Sequence, residues 1–430
     1  MADIGELVNI GLLGCGTIGS GVYHLADKNA RELTMAAGRP FRISRILVKQ
    51  IDEPRTFPAD RSLMTTDAAA VLQDPEINVF IELIGGIEPA RTFALDVLGR
   101  GKHLVTANKE LVARHGRELM EAAARSGSQV RFEASVGGGI PLIRPLEESL
   151  GGDRVEKIMG IVNGTTNYIL TRMSDEGSTY AEALAEAQGL GYAEADPVAD
   201  VEGADAASKL AILCSIAFNV GVTDAQVYRE GINGVRPEDL ENARELGYAV
   251  KLLAVAISED DGISARVHPT MIPLEHPLAS VSGNFNAIFI TGESVGDLMF
   301  YGQGAGSLPT ATAILGDVVN VVRNMDRPPA SRRSYWSRPG NVKPIDEALT
   351  RFYVVLRVED RPGVLAWIAG VFGENQVSLE SVVQKGFGDS AQIVMITHQV
   401  MERNFQAARE RLADLDVVLE IPSVIRVESG

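Results

Sequence analysis

The feature that most constrains the fold of this chain is a glycine-rich turn close to its start. The short apolar run 8–13 predicts a buried strand, and the turn after it carries Gly14, Gly16 and Gly19 in a G-x-G-x-x-G pattern. A helix-like run, 20–37, follows. Glycines at these places permit a tight turn and a close approach of the backbone to a pyrophosphate, which then lies at the helix N-terminus. The order strand, glycine turn, helix therefore predicts a dinucleotide site, although a purely structural turn has the same pattern.

Length, charge and cysteine content limit what kind of protein this is. A chain of 430 residues is expected to form two or three domains. Its formal net charge of −17 argues against nucleic acid as a partner. Cys15 and Cys214 are far apart, so neither a disulfide framework nor a Cys-rich metal site is expected. We expect no signal peptide at the N-terminus and no membrane span of about 18 apolar residues, which together predict a cytoplasmic protein.

Strand and helix patterns alternate from residue 8 to about 140 and predict an α/β domain. Its second strand ends at Lys49, with Arg55 close behind. An NAD-selective site places an acidic residue at this strand end to hold the ribose hydroxyls, whereas here Asp52 and Glu53 come slightly later. Lys49 and Arg55 suit a 2′-phosphate instead, or they are simply two solvated loop cations.

Two later strand ends in this domain carry charged residues. The predicted strand 103–106 is soon followed by Lys109, which places that amine beside the predicted cofactor unless it is only a solvated charge. Glu133 ends another predicted strand and precedes three glycines and Ile140. The loop carbonyls and Glu133 offer the oxygen ligands that hard cations prefer, but the residues alone favour an ordinary domain crossover.

The middle of the chain, with mixed strand and helix patterns, predicts an α+β domain. A loop at 189–203 carries four carboxylates, among them Glu194 and Asp200, and leads into a clear helix at 204–213. Asp205 and Lys209 are four residues apart and so share one face of that helix. A surface ion pair would have the same spacing. The apolar neighbours favour a buried site instead, in which carboxylates hold a ligand ammonium and the lysine moves a hydroxyl proton.

A second glycine cluster, 302–306, precedes a predicted helix at 309–324. Two explanations fit it about equally. The chain returns here to the nucleotide site, or the loop needs a positive φ angle.

Several of these motifs, in this order, resemble those of the homoserine dehydrogenases over the whole chain. The stretches that carry the resemblance are 14–19, 106–109, 133–141, 163–168, 191–197, 200–209 and 304–306. The resemblance implies reversible hydride transfer between NAD(P)H and the aldehyde carbon of L-aspartate 4-semialdehyde. The product is L-homoserine, and the resemblance places this reaction in threonine, methionine and isoleucine biosynthesis.

The resemblance also implies roles for particular residues. Glu194 and Asp205, with Asp200 nearby, hold the substrate amino group. Lys209 passes the proton to and from the substrate oxygen, and Lys109 stabilises negative charge on it. Together with the strand-end argument, the expected cofactor contacts are Gly14, Gly16, Thr17, Ile18, Gly19, Lys49, Thr106, Lys109 and Gly306. The side chain of Glu133 and the carbonyls of Val136, Gly138 and Ile140 resemble the family's monovalent cation site, usually sodium.

The C-terminal part predicts a small separate module. After a Pro/Arg/Ser-rich linker at 326–350, elements follow in the order βαββαβ, as in a ferredoxin-like unit. The Asp-Arg-Pro-Gly-Val-Leu passage at 360–365 resembles that of an ACT domain, a regulatory amino-acid-binding module. Gly363 lies where that family's ligand contacts the first loop. The implied pathway suggests threonine as effector, and a module that serves dimerisation only is the alternative.

We therefore expect four segments. They are a Rossmann-type nucleotide-binding domain at 1–140 completed by about 300–325, a substrate-binding and dimerisation domain at 141–325, the linker, and the ACT domain at 351–430. The family suggests a homodimer or homotetramer. One rival is a phosphorylating semialdehyde dehydrogenase, which requires a nucleophilic cysteine. The other is a non-enzymatic sensor of nucleotide and amino acid.

Overall fold

The structure is a computed structural model that describes residues 6–326, 335–336, 338–388 and 390–428. The expected absence of a signal peptide concerns residues 1–5, and the basic part of the expected linker covers 327–333; both lie outside the described residues. The chain forms two compact units. The first contains Met1–Val155, Ser208–Gln226 and Thr291–Gly340, and the second contains Glu156–Ala207, Val227–Ile290 and Asn341–Gly430.

The helices and strands of the described chain are numbered in chain order. The helices are α1 (Thr17–Lys28), α2 (Ala30–Ala37), α3 (Ala68–Leu72), α4 (Ala90–Gly99), α5 (Lys109–Ser126), α6 (Gly164–Glu176), α7 (Tyr180–Gly189), α8 (Val198–Val201), α9 (Ala204–Ala217), α10 (Pro237–Glu245), α11 (Ser307–Asn324), α12 (Val364–Glu374) and α13 (Glu402–Ala413). The strands are β1 (Val8–Leu13), β2 (Phe41–Leu47), β3 (Met64–Thr65), β4 (Ile77–Glu82), β5 (His103–Thr106), β6 (Val130–Arg131), β7 (Val155–Ile161), β8 (Tyr228–Arg229), β9 (Tyr248–Glu259), β10 (Gly262–Pro273), β11 (Phe285–Gly292), β12 (Gly296–Gln303), β13 (Leu349–Glu359), β14 (Leu379–Phe387), β15 (Ser390–Thr397), β16 (Val400–Met401) and β17 (Val418–Val427).

A parallel sheet organises the first unit, with its strands in the order β3-β2-β1-β4-β5-β6. β1 and β4 lie at its centre and are buried at all but one position each, because helices cover both sides of such a sheet. The strand order reverses between β1 and β4. In open α/β sheets the ligand crevice lies at that reversal, outside the carboxyl ends of the strands.

Helix α11 comes late in the chain but packs into the core of this first sheet. Its apolar stripe buries Ile314, Val318 and Val321 in one cluster with Ile10 and Leu12 of β1. The spacing of three and four residues along α11 is what puts these side chains on one helix face.

Two local predictions differ from the structure. The helix expected over 20–37 is two helices, because Asn29 leaves helical geometry with φ −107° and separates α1 from α2. Asparagine competes with the helix by bonding to its local backbone, so it favours helix ends. The strand expected over 130–133 stops at Arg131, and Glu133 instead begins a single 3₁₀ turn.

The second unit is built on one mixed sheet. Its long path runs β11-β7-β9-β10-β17-β13-β15-β14, with β8 beside β10 and β16 beside β13. β9 and β10 form its longest hairpin, paired from Gly262–Glu259 to Pro273–Tyr248.

The C-terminal module occupies one end of this sheet. Its strands lie in the order β17-β13-β15-β14, with α12 and α13 as the two crossover helices, as in a ferredoxin-like unit. Phe352 of β13 stacks on Phe405 of α13 with ring centroids 3.7 Å apart, which ties a helix to the sheet. β17 also pairs in parallel with β10 at Thr270–Arg426, so the module's sheet continues into the central strands.

No helix within the described ranges has both the length and the apolar content that a membrane crossing requires.

Candidate active site

The glycine turn after β1 has the geometry that the sequence predicts. Gly14 has φ +99°, and a Cβ atom there would lie 2.6 Å from the carbonyl oxygen of Leu83. Its backbone N–H donates to the carbonyl of Leu47 at 2.9 Å. Gly16 is the N-cap of α1, so the partial positive charge of that helix end faces the turn. The turn can hold a phosphate against the backbone.

A crevice of about 470 Å³ opens at this turn. It lies at the carboxyl ends of β1, β2 and β4, where the strand order reverses. Three predicted cofactor residues, Gly14, Gly16 and Lys49, line it. Lys49 is exposed, and no described residue forms a hydrogen bond or ion pair with its amine.

Two other charged residues of the loop after β2, Arg55 and Asp52, are engaged in hydrogen bonds or an ion pair. The Arg55 guanidinium donates to the backbone carbonyls of Gln50, Ile51 and Glu53 at 2.8–2.9 Å and so closes the loop on itself. Asp52 pairs with Arg61 at 3.0 Å. Arg55 therefore shapes the loop while it also lines the crevice, and Lys49 brings to the crevice an amine that no described residue engages.

A buried carboxylate that the sequence analysis missed connects two strand ends beside the crevice. Glu82, the last residue of β4, is fully buried. Its carboxylate accepts hydrogen bonds from the hydroxyl of Thr106 and from the backbone N–H of Ile84, both at 2.7 Å. Burial raises the pKa of Glu82 above its ordinary value. A glutamate directly after the apolar run 79–81 was the available sequence signal.

Lys109 is placed by the same network. The Thr106 hydroxyl accepts a hydrogen bond from the backbone N–H of Asn108 at 3.0 Å. Asn108 caps α5 by accepting from the N–H of Leu111, and its amide donates to the carbonyl of Gly86 at 2.6 Å. The Asn108 cap makes Lys109 the first residue of α5. Lys109 is half-buried and lies next to the strand end that Thr106 and Asn108 order by hydrogen bonds.

The second glycine cluster meets the first one. The Ser307 hydroxyl donates to the carbonyl of Thr17 at 2.6 Å, which joins the starts of α1 and α11. Gly306 is the N-cap of α11 and has φ +113°. The chain therefore returns to the glycine turn here and also adopts a positive φ angle at Gly306. Thr17, Ile18 and Gly19 lie in the first turn of α1.

The loop around Glu133 has buried oxygens that suit a cation. The Glu133 carboxylate accepts from the backbone N–H groups of Leu142, Ile143 and Arg144 at 2.5–2.9 Å. One of its oxygens takes two of these bonds and the other takes only one, so the second keeps a lone pair available. The raised pKa of Asp317, about 7, results from burial beside this loop.

Three backbone carbonyls complete this loop. They belong to Val136, Gly138 and Ile140, all of which are buried. Among the described residues none donates a hydrogen bond to these oxygens. Buried carbonyls without a donor are uncommon. The described residues contain no cluster of three His, Cys, Asp or Glu side chains fit for a metal, so carbonyls would have to supply most ligands.

In the second unit, one asparagine joins two of the predicted substrate-binding carboxylates. The amide nitrogen of Asn163 donates to Asp200 at 2.7 Å and to Asp205 at 2.9 Å. Its amide oxygen caps α6 by accepting from the N–H of Thr166 at 2.9 Å. The Thr165 hydroxyl also approaches Asp200, at 3.3 Å. The sequence pattern predicts only a turn and a helix cap at Asn163, because the cap already accounts for an asparagine there.

The other predicted residues of this region differ in how exposed they are. Glu194 is exposed and its side chain takes no part in the Asn163 network; only its backbone carbonyl is held, by Gln188 at 3.1 Å. Asp205 is buried in the first turn of α9, and Lys209 is half-buried one turn later on the same helix.

Neither cysteine is suited to nucleophilic catalysis. Cys15 and Cys214 are both buried, and burial raises the pKa of each thiol. A nucleophilic cysteine needs the opposite shift, because the thiolate is the reactive form. Neither cysteine therefore meets the requirement of a phosphorylating semialdehyde dehydrogenase for a nucleophilic thiol.

Three family models match the chain. The model for homoserine dehydrogenase matches residues 141–319, the model for the homoserine dehydrogenase NAD binding domain matches 14–133, and the ACT domain model matches 352–417. The chain is 47% identical to a homoserine dehydrogenase of Synechocystis, across 98% of this chain and 100% of that protein.

Solved structures agree with these matches. The crystal structure of a homoserine dehydrogenase from Thiobacillus denitrificans has a TM-score of 0.93 and 41% identity, covering 99% of both chains. A hyperthermophilic archaeal homoserine dehydrogenase in complex with NADPH has a TM-score of 0.63 and 27% identity, covering 73% of this chain and 97% of that one.

Two glycine variants separate the folding role of the turn from its binding role. Gly14→Ala is expected to lower the free energy of unfolding by about 1–3 kcal/mol, because it combines a positive φ with a clash against Leu83. Gly16→Ala meets open space and should leave stability within about 0.5 kcal/mol. Its methyl group enters the crevice, so dinucleotide binding should weaken. Denaturant unfolding and fluorescence titration with NADPH measure the two effects, and equal stability losses would contradict this interpretation.

Proposed function

This chain belongs to the homoserine dehydrogenase family and is an NAD(P)-dependent oxidoreductase, and from that premise we propose how its residues divide the reaction. The reaction is the reversible reduction of L-aspartate 4-semialdehyde to L-homoserine. The observation that carries the assignment is the pair of carboxylates, Asp200 and Asp205, that Asn163 holds together at the head of the helix bearing Lys209.

The carboxylate pair binds the substrate ammonium group. Two like charges held close to one another repel, and a cation between them relieves that repulsion. Asp205 is buried, which strengthens its attraction for a charge partner. Glu194, from the exposed part of the same loop, adds a third carboxylate when the substrate is bound.

Lys209 donates the proton to the substrate oxygen as the aldehyde becomes an alcohol, and accepts it in the reverse direction. Lys109 stabilises negative charge on that oxygen as a second cation. The nicotinamide cofactor, when bound, supplies or accepts the hydride. Gly14, Gly16, Thr17, Ile18, Gly19, Thr106 and Gly306 position it, with Lys49 at the adenosine end.

Replacement of Lys209 tests the proton transfer. Lys209→Ala is expected to lower kcat by about 10²–10⁴-fold in both directions, the usual contribution of a general acid. Circular dichroism and thermal unfolding should stay close to wild type because the side chain is only half-buried. Lys28→Ala, an exposed lysine at the end of α1, is the control. Turnover close to wild type in the Lys209 variant would remove the residue from this role.

We also propose that the enzyme prefers NADP(H) over NAD(H). The support is the unpaired Lys49 amine in the crevice and the absence of an acidic residue at the end of β2, where Val48 is buried. Glu53 lines the same crevice and would favour NAD instead. The lysine is nearer the strand end, where the ribose hydroxyls are read.

Lys49→Gln distinguishes the two cofactors. The variant is expected to lose about ten-fold or more in kcat/KM for NADPH, the value of one charge-assisted hydrogen bond. The value for NADH should change by less than about two-fold, because no phosphate contact is lost. Initial rates with both cofactors measure this. An equal loss for both would show that Lys49 does not contact the 2′-phosphate.

A monovalent cation, sodium, is proposed at the Glu133 loop. The residues fit such an ion, since the three buried carbonyls and the remaining Glu133 lone pair are all hard oxygen donors. The ion would order the loop and take no part in the chemistry.

Thermal unfolding in matched concentrations of NaCl and choline chloride tests the cation site. Sodium is expected to raise the melting temperature by about 2–4 °C through preferential binding to the folded state. Glu133→Gln should abolish that difference, whereas Glu76→Gln, an exposed glutamate, should preserve it. A wild-type protein indifferent to sodium would exclude the site.

The ACT domain is proposed to make the enzyme responsive to threonine, as part of threonine, methionine and isoleucine biosynthesis. Gly363, at the head of α12 with φ +93°, lies in the loop where the family resemblance expects effector contacts. A role in dimerisation alone remains the alternative.

We propose a homodimer or homotetramer, and a monomer mass by light scattering would exclude both. The cytoplasmic location stays a prediction.

A further inference from the structure

A cavity of about 310 Å³ lies between helix α11 and the helices α1 and α2, and Arg144 forms one of its walls. All of these elements belong to the first unit. The described residues that line this cavity are all different from those that line the dinucleotide crevice. Its volume is at the lower end of the range for small-molecule sites, so we asked which ligand its lining suits.

Helix α11 uses separate faces for the sheet and for this cavity. Ile314 and Val318 pack into the core of the first sheet. Gly316, Val319 and Asn320 line the cavity, and their spacing of three and four residues puts them on a common face. The cavity is therefore built on the side of α11 that the sheet core does not use.

Gly316 makes room in the cavity. It lies in the interior of an 18-residue helix, where glycine is less favourable than alanine. A Cβ atom at this position would meet only the guanidinium of Arg144, at an ordinary contact distance of 3.4 Å. Packing therefore does not require a glycine here, and the absent side chain leaves space beside Arg144.

The guanidinium of Arg144 uses few of its N–H groups. Its Nη2 atom lies 3.4 Å from the carboxylate of Asp317, which is long for a charge-assisted hydrogen bond. Nη1 donates to no described residue, and the buried Nε has no partner in the described part of the chain. The side chain is 35% exposed. Because buried donors are normally hydrogen-bonded, this guanidinium suits an added anionic partner.

Two further donors lie along the same face of α11. The amide oxygen of Asn320 accepts from Arg131 at 2.7 Å, which orients the amide, and the amide nitrogen donates to no residue within the described ranges. Arg323 adds a second guanidinium, whose Nε donates to the carbonyl of Ala36 at 3.1 Å. None of the described lining residues is acidic, although the formal net charge of the chain is −17. The cavity therefore favours a negatively charged group.

Aliphatic side chains form the rest of the lining. They are Leu25 of α1, Leu33 of α2, and Leu315 and Val319 of α11. Covering such side chains with hydrocarbon removes apolar surface from water, which favours binding. An inorganic anion would leave this surface uncovered, whereas a ligand with a charged head and an apolar body matches both parts of the lining.

We propose that this cavity binds an aliphatic carboxylate of medium chain length. The ligand carboxylate accepts hydrogen bonds from Arg144 and from the amide nitrogen of Asn320, and its hydrocarbon chain lies against the leucines. The ligand contacts α1, α2 and α11 together, so its binding stabilises the folded first unit. This site requires neither the dinucleotide nor the substrate.

Calorimetric titration of the full-length protein with sodium octanoate, replacing chloride at a constant sodium concentration, tests the site. Wild type is expected to bind, and Arg144→Gln should weaken binding by about ten-fold or more, the value of one charge-assisted hydrogen bond. Arg125→Gln, at an exposed arginine of α5 outside the cavity, should leave binding unchanged. Octanamide, which keeps the chain without the charge, should bind wild type about ten-fold more weakly and should be insensitive to Arg144→Gln.

A variant that fills the cavity gives an independent readout. Gly316→Leu should keep the fold, because leucine is a better helix former and its Cβ has room, and should abolish binding by occupying the volume. Gly99→Leu, at an exposed helical glycine of α4 with open space around it, is the matched control. Octanoate should raise the melting temperature of wild type and of Gly99→Leu, and it should not raise that of Gly316→Leu.

The outcomes decide between this site and its alternatives. Failure of wild type to bind octanoate, or unchanged binding in both Arg144→Gln and Gly316→Leu, would overturn the proposal. Inorganic phosphate that bound at Arg144 as tightly as octanoate would also overturn it, because the apolar lining would then contribute nothing. Turnover is not among these readouts, so the proposed roles in catalysis are tested separately.

Discussion

The amide group of Asn163 fixes the arrangement of the two carboxylates to which we assign substrate binding. An amide nitrogen carries two hydrogens, and here each is directed at a different carboxylate, one on Asp200 and one on Asp205. The amide is neutral, so it orders the two carboxylates without cancelling their charge. Because the amide oxygen caps α6, the pair is also anchored to a helix.

A second hydrogen-bond network orders the carboxyl ends of β4 and β5. Glu82 is buried between these strands and bonds to Thr106 and to the turn that follows β4. Thr106 bonds on to Asn108, the cap of α5. One buried carboxylate therefore orients two loops and a helix start. Loss of any member would leave a buried polar group without a partner, which costs more than the bond itself contributes.

The parts of the site that the sequence predicts are those encoded locally. Gly14 needs its positive φ because of the strand and helix on either side of it, and a window of a dozen residues contains that information. The role of Glu82 depends on β5 lying beside β4, and that of Asn163 depends on Asp200 and Asp205 from about forty residues away. Long-range pairing of this kind leaves no local pattern.

The junction between the C-terminal module and the central strands shows the same limit more strongly, because Arg426 bonds to Glu230 from 196 residues away in sequence. This junction forms because the C-terminal module shares a sheet with the central strands and is not attached by the linker alone. Arg426 and Glu402 of the module, both buried, form a charge network across that junction with the partly exposed Glu230, which follows β8. Breaking one partner of a buried network is costly, so the two parts are coupled in the resting fold.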